Sequence, residues 1–387
     1  MASDRRLTAL AYACLLMVGI HVGWMGPFLP EISRLLTVSI DRAGLIISAT
    51  SAGYFLALIA AGAVSHRHSA QTILVVAMVL FAAGLAGLAA APGLSALLCA
   101  SVVIGLANGA IDVAANALIV DLNRERLASA LNYLHVLFGI GALMGPLVVA
   151  GALARQVSYR WVFAAGAVFC AATALALIAT PAIEVKVPEV SDEGVMHLLA
   201  RPITWIIAGV LFLYVGGETG VGAWLFLYLR TAAAAGATIA SSGVSLYWLG
   251  LIAGRVTGGR IAHRIGAREL TVLGSAISAL ALLGLIAIPR WPLVAALMVF
   301  LIGFGYGPIF PNMVAVGAQR FPSQVGRMTS IIVGGGAFGG MFVPWLMGRA
   351  MAVATPRTSM ECALAVTVLM VLLSCAVRDR RAPPLSF

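Results

Sequence analysis

Long apolar stretches separated by short connectors constrain this sequence more than any other feature. Crossing a bilayer as a helix takes about 20 apolar residues, and the chain supplies twelve segments of that kind. Only 10% of its 387 residues are charged, against roughly 25% in soluble domains, so lipid must cover most of the surface. The stretches are rich in Leu, Ala and Gly and do not alternate in polarity, which excludes a β-barrel. We therefore predict an all-α integral membrane fold with twelve spanning helices.

The predicted helices fall into two sets of six, separated by one polar stretch. The first six are predicted over 7–34, 41–64, 71–91, 94–121, 128–153 and 159–180. The last six are predicted over 202–229, 240–263, 269–289, 292–318, 327–350 and 358–377. We accordingly divide the chain into an N-terminal bundle over 1–180, a cytoplasmic linker over 181–200, and a C-terminal bundle over 201–387 that ends in a short basic cytoplasmic tail.

The distribution of basic residues sets the predicted orientation. With the N-terminus in the cytoplasm, 15 of the 24 Lys and Arg residues lie inside and 8 lie outside, which follows the positive-inside tendency. Both termini are therefore expected in the cytoplasm, and the chain in the cell inner membrane. The net charge of +10 then reports topology and contact with lipid headgroups, not nucleic acid. The five cysteines lie in or near apolar segments and are interpreted as free packing residues.

The two halves repeat each other in sequence. Ile104–Ile111 on the fourth predicted helix matches 302–309 on the tenth, at an offset of 198. Gly139–Ala142 on the fifth matches 334–337 on the eleventh, at an offset of 195. Two matches in the same order imply a duplication, and many transporters use such repeats to build two bundles that rock about a central site. We therefore predict two pseudo-symmetric six-helix bundles.

Two further segments carry a resemblance to a known family. The run from Arg255 to Arg268 resembles the G-x-x-x-D-R-x-G-x-R loop signature of the major facilitator superfamily, with His263 where Asp is usual. The Gly/Pro pattern over 139–146 is similar to that of the fifth helix in many members. A narrower resemblance, to the fucose:proton symporters and the sodium-dependent glucose transporters, rests on 53–55, 108–116 with 131–142, and 214–222. The family resemblance implies that helices one, four, seven and ten line a central cavity.

Asp112 is one of two acidic residues that lie well inside a predicted helix. An acidic side chain at the centre of a membrane helix costs at least about 2.5–3.5 kcal/mol on insertion scales. Asn108 and Asn116 share its helix face through i, i+4, i+8 spacing. His135 and Asn132 reach a similar depth on the next helix, because both helices flank the same short loop. A carboxylate beside an imidazole can hold and pass a proton; the alternative is a structural hydrogen-bond cluster.

Glu218 is the second buried acid, on the seventh predicted helix. Tyr214 precedes it by one turn, and four glycines lie at positions 216, 217, 220 and 222. Glycine weakens a helix by about 1 kcal/mol per residue relative to alanine, as expected where a helix bends at a binding site. Close helix packing is the alternative explanation of the same glycines. We predict that Glu218, Asp112 and His135 couple transport to a cation.

The remaining candidate residues are aromatic, polar or basic groups in the same helices. The predicted substrate-binding residues are His21, Trp24, Asn108, Asn116, Asn132, Tyr214, Tyr247, Tyr306 and Asn312. Packing or lipid contact is the alternative for the aromatic members of this set. The predicted conformational latch consists of Arg255, Arg260, Arg264 and Arg268, with Asp121 as the candidate partner. Snorkelling of the arginines to lipid headgroups is the alternative there.

Missing motifs narrow the class of function. The sequence has no G-x-x-x-x-G-K-[S/T] phosphate loop, no H-E-x-x-H and no G-x-S-x-G, which argues against an ATP-driven pump and against a membrane enzyme. The pair His66 and His68 has no Cys or acidic companion, so no metal site is predicted. We therefore expect a monomeric secondary active transporter without a cofactor, whose partners are a small-molecule substrate, a coupling cation and lipid.

Two transport modes stay open at this level. The motifs of the fourth, fifth and seventh helices favour cation-coupled uptake of a small polar solute such as a sugar, with the proton preferred over sodium. Gly26 favours the other mode, because proton-coupled sugar transporters of the resembling family carry an acidic residue immediately before the Pro-x-x-Pro that begins here at Pro27. Together with the aromatic residues and 14 methionines, that difference points to a proton-coupled exporter of amphipathic compounds.

Overall fold

A computed structural model describes residues 2–64, 68–123, 127–181 and 195–377. Within these ranges twelve helices are long and apolar enough to span a membrane, which confirms the predicted fold class. The first six are α1 (Ala2–Leu35), α2 (Ile40–Val64), α3 (Ala70–Ala90), α4 (Leu94–Leu122), α5 (Leu127–Ala154) and α6 (Tyr159–Ile178). Their ends agree with the sequence prediction to within a few residues, except that α1 begins nearer the N-terminus.

The second half follows the same pattern after a short helix over Val195–Leu199. Its helices are α7 (Pro202–Thr231), α8 (Ala237–Ile265), α9 (Ala267–Ala287), α10 (Pro292–Tyr306 and Ile309–Arg320), α11 (Val325–Val353) and α12 (Pro356–Ala376). The two segments of α10 meet at Pro308, which has no amide hydrogen to continue the ladder. Most of the predicted linker, residues 182–194, lies outside the described residues.

Helix packing repeats between the two halves. In the first half α1 packs on α5, α2 on α4, and α3 on both α4 and α6. In the second half α7 packs on α11, α8 on α10, and α9 on both α10 and α12. Each contact in one bundle therefore has a counterpart six helices further along the chain, which is the pseudo-symmetry that the sequence repeat predicts.

Matching glycines create two of these equivalent contacts. A Cβ atom added to Gly105 of α4 would lie 2.8 Å from the backbone nitrogen of Tyr54 on α2. A Cβ atom added to Gly303 of α10 would lie 2.9 Å from the backbone nitrogen of Leu251 on α8. Such distances leave no room for a side chain, and small residues are what allow membrane helices to approach this closely. The two glycines occupy the same position in the sequence repeat.

The two bundles meet through α2 with α11, α5 with α8, and α1 with α7. Near the face where α1 ends and α2 begins, here called the closed face, Arg349 forms an ion pair with Asp41 at 3.1 Å. On the same side, the hydroxyl of Ser241 donates to the carbonyl of Pro146 at 2.6 Å, and that of Ser245 to the carbonyl of Leu143 at 2.9 Å. These polar contacts tie the halves together on that side of the membrane.

Gly26 brings α1 against α7 near the same face. A Cβ atom at Gly26 would lie 2.7 Å from the carbonyl oxygen of Gly222 and 2.6 Å from that of Ala223. Two backbones of opposite bundles are therefore in direct contact, about 14 Å along α1 from its end at Leu35.

Candidate coupling and substrate site

Asp112 lies in a hydrogen-bonded cluster between α2 and α4. The hydroxyl of Tyr54 donates to its Oδ2 atom at 2.7 Å, and the amide of Asn116 donates to its Oδ1 atom at 3.0 Å. The same amide reaches the backbone carbonyl of Asp112 at 2.8 Å. The predicted helix face shared by Asp112 and Asn116 is confirmed. Tyr54 is a partner that sequence reasoning missed, although the Gly53-Tyr54 pair sits where α2 meets α4.

His135 connects this cluster to the other half of the molecule. It interacts electrostatically with Asp112 of its own half and with Arg255 of the opposite half. The helix contact explains the second interaction: a Cβ atom at Gly139 of α5 would lie 2.8 Å from Cγ1 of Ile252 on α8. Because the two helices are antiparallel, His135 and Arg255 both lie about one turn further from the closed face. The imidazole therefore lies within electrostatic range of charged groups in both bundles.

Glu218 and Arg255 form the charged pair of the C-terminal half. The Nη2 atom of Arg255 lies 3.4 Å from Oε1 of Glu218 and donates to the hydroxyl of Tyr214 at 3.3 Å. The Tyr247 hydroxyl donates to the backbone carbonyl of Glu218 at 3.1 Å. Tyr306 packs edge-on against Tyr214, with ring centroids 6.0 Å apart. Three tyrosines therefore surround an ion pair whose side chains remain 12% and 27% exposed for Glu218 and Arg255 respectively.

Arg255, which was predicted near the inner end of α8, lies deeper in the helix in this structure, and its part in a conformational latch stays a prediction. Arg255 lies about 15 Å along the helix from its end at Ile265, given a rise of 1.5 Å per residue, and its partners are Glu218 and Tyr214. A guanidinium at that depth requires a carboxylate, because an unpaired charge in low dielectric is costly. Counting positions along α8 alone did not show that this residue faces α7.

The other latch residues lie at the end of α8 and the start of α9. Arg260 and Arg264 are exposed there. Arg268 pairs with Glu269 at 3.2 Å and donates to the carbonyl of Cys375, at the C-terminal end of α12, at 3.0 Å. Basic groups are favourable at a helix C-terminus, and this contact stays within one half. Asp121 lies in the last turn of α4, and a latch between the halves through it stays a prediction.

Four of the predicted substrate-binding residues are buried and take no part in the hydrogen bonds of Asp112 and Glu218 described above. His21 packs edge-on against Phe81 of α3, and Trp24 packs against Phe163 of α6, so both are core residues of the first bundle in this structure. Asn108 and Asn312 are buried. Within the described part of the chain, Oδ1 of Asn108 and Nδ2 of Asn312 have no hydrogen-bond partner. The side chain of Asn132 lies outside the described residues.

His135 has an exposed side chain, although it interacts electrostatically with Asp112 and Arg255. The polar contacts between the bundles lie toward the closed face. We therefore expect the layer of His135 to be reached from the opposite face, which carries the start of α1.

Comparison with known proteins identifies the fold family. The family model described as Major Facilitator Superfamily matches residues 11–344, with a second match over 207–386. The chain belongs to the Major Facilitator Superfamily. It is therefore a multi-pass membrane transporter and not an enzyme, as the sequence indicated. Members of this superfamily bind small-molecule substrates in the membrane.

Several relatives and solved structures are similar to this superfamily member. Mouse sodium-dependent glucose transporter 1A is 21% identical, with 87% of this chain and 88% of the mouse protein covered. The Escherichia coli inner membrane transport protein YdiN is 22% identical, with 80% and 75% covered. Yeast bypass of stop codon protein 6 is 30% identical over 41% of this chain, which covers only 34% of the yeast protein.

Two solved structures show the same fold. The D-xylose-proton symporter superimposes with a TM-score of 0.81 at 15% identity, covering 97% of this chain and 98% of the symporter. FucP in the outward conformation superimposes with a TM-score of 0.65 at 19% identity, covering 96% and 98%. The similarity to the mouse protein bears out the resemblance to the glucose transporters of the superfamily, and FucP shares the fold.

Proposed function

We propose that this protein is a secondary active transporter that couples entry of protons to uptake of a small polar solute by alternating access. One observation carries the proposal: each half holds one carboxylate within the membrane, and His135 interacts electrostatically both with Asp112 and with Arg255, the ion-pair partner of Glu218. A change in the charge of Asp112 or Glu218 is therefore felt by both bundles. This arrangement can link a bound proton to the relative movement of the bundles.

The contacts of Asp112 favour a proton over a sodium ion. Both of its carboxylate oxygens accept hydrogen bonds, from Tyr54 and from Asn116. A hard metal cation is bound by several oxygen ligands at once, whereas Asn116 presents N–H to the carboxylate. A proton needs only one oxygen and a rearranged hydroxyl, which Tyr54 supplies because an O–H group can donate or accept.

The burial of the aromatic residues favours a polar solute over an amphipathic one. Tyr214, Tyr247 and Tyr306 are fully buried and Trp248 is 3% exposed, so they do not form an open adaptable surface. Many of the methionines, including Met313, Met347 and Met370, are core residues. The mouse relative is a sodium-dependent glucose transporter and the similar solved structure is a D-xylose-proton symporter, which supports a sugar-like solute here.

The proposed orientation and domain boundaries are those predicted from the sequence. We place the protein in the cell inner membrane with both termini in the cytoplasm, on the basis of the arginine distribution and of the inner membrane relative. The closed face is then external, and the layer of His135 is reached from the cytoplasm. The functional unit is a monomer whose two bundles are joined by the linker over 181–200.

Transport in proteoliposomes tests this proposal. The purified chain is reconstituted with an internal pH dye, an inward proton gradient is imposed, and uptake of a panel of sugars and amphipathic dyes is measured. We expect solute-dependent proton entry in the wild type and its loss in Asp112→Asn and Glu218→Gln. Glu361→Gln is the matched control, because Glu361 pairs with Arg357 at an exposed position. Intact gradient-driven transport in both site variants would refute the coupling role, and dye exchange without solute-linked proton entry would favour an exporter.

A further inference from the structure

The acids of the central site already have hydrogen-bond donors. Both oxygens of Asp112 accept bonds from its own half. Glu218 accepts from Arg255, which also donates to the hydroxyl of Tyr214. A neutral or cationic solute that approached these acids would therefore have to displace protein donors. The acids are poor anchors for a solute in this state.

The basic groups of the same site, in contrast, have nitrogen atoms without hydrogen-bond partners. Arg255 carries five N–H donors, and its bonds to Glu218 and Tyr214 both come from Nη2. Its Nε atom has no partner among the described residues, and 27% of the side chain is exposed. His135 is exposed as well, and no hydrogen bond joins its ring to another described residue. Arg255 and His135, one from each bundle, thus have nitrogen atoms that no described residue satisfies with a hydrogen bond.

Further polar atoms lie deeper, toward the closed face. Trp248 lies two turns from Arg255 on the same side of α8, about 10 Å along the axis, and packs against Phe138 of the opposite bundle. Its Nε1 atom and Oδ1 of Asn108 lack partners in the described part of the chain, and both side chains are at least nine-tenths buried. One is a donor and the other an acceptor, as a hydroxyl group requires.

We propose that the solute is an anion: a small hydroxylated carboxylate, of the sugar-acid class, whose carboxylate binds between Arg255 and His135 and whose hydroxyl groups reach Asn108 and Trp248. This inference rests on the proposed function and names the substrate class of that site. A guanidinium matches a carboxylate in geometry and charge. Binding one group of the solute to both bundles also provides a reason for them to close around it.

Charge balance follows from the same contacts. The solute carboxylate forms hydrogen bonds to Arg255 in place of Glu218, and the ion pair at 3.4 Å breaks. Glu218 then takes a proton from the side of the membrane with the higher proton concentration, which is the co-substrate of the proposed symport. The site holds one cationic Arg255 and one anionic solute after the exchange. Release of the solute reverses both steps, so that Glu218 loses its proton and pairs with Arg255 again.

Matched solutes test the inference without relying on a variant. Glucose, gluconate and glucuronate are compared in proteoliposomes, with uptake of radiolabel and proton entry both recorded. We expect saturable uptake of at least one acid with proton entry, at least about tenfold above glucose, a difference of about 1.4 kcal/mol. Unlabelled acid should compete and unlabelled glucose should not. Arg255→Gln and His135→Gln should each reduce acid uptake at least about tenfold, while Arg357→Gln, at an exposed ion pair, should leave it unchanged.

The outcomes separate this inference from the proposed function. If glucose or another neutral sugar drives proton entry and neither acid is transported nor competes, the substrate class is wrong and the proton-coupled uptake stands. If no solute of either class drives proton entry, the proposed function falls together with the inference. Gel filtration of each variant and recovery in Arg255→Lys, which keeps the charge, ensure that a loss reflects the missing cation and not misfolding.

Discussion

Glu218 and Arg255, which are 37 residues apart in sequence, form an ion pair of 3.4 Å between α7 and α8, at the centre of the C-terminal bundle. The corresponding positions of the N-terminal bundle carry no such pair; there the charge is Asp112, held by Tyr54 and Asn116. The duplicated halves have therefore kept the same helix packing and taken different charged groups. A transporter with one acid in each half can bind protons on both sides of the interface.

Removing one partner of this pair should have unequal effects on stability. In Arg255→Gln the remaining Glu218 can take up a proton and become neutral, whereas in Glu218→Gln the guanidinium stays charged because arginine does not deprotonate in proteins. We expect the free energy of unfolding to fall by about 1–3 kcal/mol in Glu218→Gln, below the value for fully buried pairs because both side chains are partly exposed. The loss in Arg255→Gln should be smaller.

Thermal unfolding in detergent, followed by tryptophan fluorescence, measures the difference. The double variant should be closer to the wild type than Glu218→Gln is, since no uncompensated charge is left. Glu361→Gln serves as the control at an exposed ion pair and should be neutral. Equal melting temperatures for the two single variants would contradict the interpretation of the pair.

Asp112 is expected to carry the proton of the N-terminal bundle. In Asp112→Asn the amide can keep its contacts with Tyr54, whose hydroxyl can accept as well as donate, so the fold should be preserved. Proton entry driven by solute should fall at least about tenfold, a loss of about 1.4 kcal/mol, while exchange of labelled for unlabelled solute should persist. Counterflow and internal pH, measured on the same vesicles, distinguish the two. Loss of counterflow together with proton entry would show that Asp112 binds solute instead.

Tyr54→Phe is a finer test of the same cluster. It removes the 2.7 Å hydrogen bond to Asp112 and keeps the ring. A hydrogen bond to a charged group contributes about 1.5–3 kcal/mol, so Asp112 loses one of its two side-chain donors at a substantial cost. We expect solute-driven proton entry to fall at least about tenfold, a loss of about 1.4 kcal/mol, while the variant elutes from gel filtration as the wild type does. Unchanged proton entry would rule out Tyr54 as a partner that the coupling role of Asp112 requires.

Individual residues show which features of the structure could be predicted from the sequence. The bilayer imposes a length on every spanning segment, which is why the twelve helices were predictable from apolar stretches alone. Asn116 was predictable as a neighbour of Asp112 because both lie on one helix, where the period of 3.6 decides which residues meet. Tyr54 was not, since its contact depends on how closely α2 and α4 approach at Gly105. That distance is set by tertiary packing.

Predictions that depended on which neighbouring helix a side chain faces were less successful. Family resemblance directed attention to α1, but it could not say that His21 faces Phe81 and Trp24 faces Phe163 inside the first bundle. The contact of Arg255 with Glu218 was missed because neither the depth of Arg255 in α8 nor the direction of its side chain toward α7 was predicted. A contact between helices depends on their crossing and rotation, which a single sequence without periodic polarity does not encode.

The Asp41–Arg349 ion pair is expected to hold the closed face shut by a small margin. Arg349 is 56% exposed and Asp41 is 9% exposed, and pairs of this kind contribute about 0.2–1 kcal/mol. Leu227 lines a cavity of about 360 Å³ at this face, together with Glu31 and Arg230. In Leu227→Cys, the rate of reaction with an impermeant maleimide therefore measures how often the face opens. In a background without the native cysteines, Asp41→Asn or Arg349→Gln should raise this rate by about two- to fivefold.

Coupling between the two residues is the control for that measurement. If the ion pair is responsible, the double variant should label no faster than either single variant, because the second substitution has no interaction left to remove. Additive increases would show that each residue acts through other contacts, and equal rates in all four proteins would show that the pair does not restrain the face.

Gly26 should be far less tolerant of substitution than either residue of the Asp41–Arg349 ion pair. The smallest added side chain would place a methyl group 2.6–2.7 Å from two carbonyl oxygens of α7, and backbone atoms in packed helices cannot move aside as a flexible side chain can. Gly26→Ala should therefore prevent complete closure of this face, with faster labelling at Leu227→Cys than in Asp41→Asn and transport reduced at least about tenfold. The chain offers a matched control in Gly236→Ala at the start of α8, on the same face, where an added Cβ atom meets nothing within 4 Å; this variant should transport and label as the wild type does. Normal transport by Gly26→Ala would mean that α1 and α7 need not touch during the cycle, and the seal would then have to rest on Asp41, Arg349 and the serine contacts of α8.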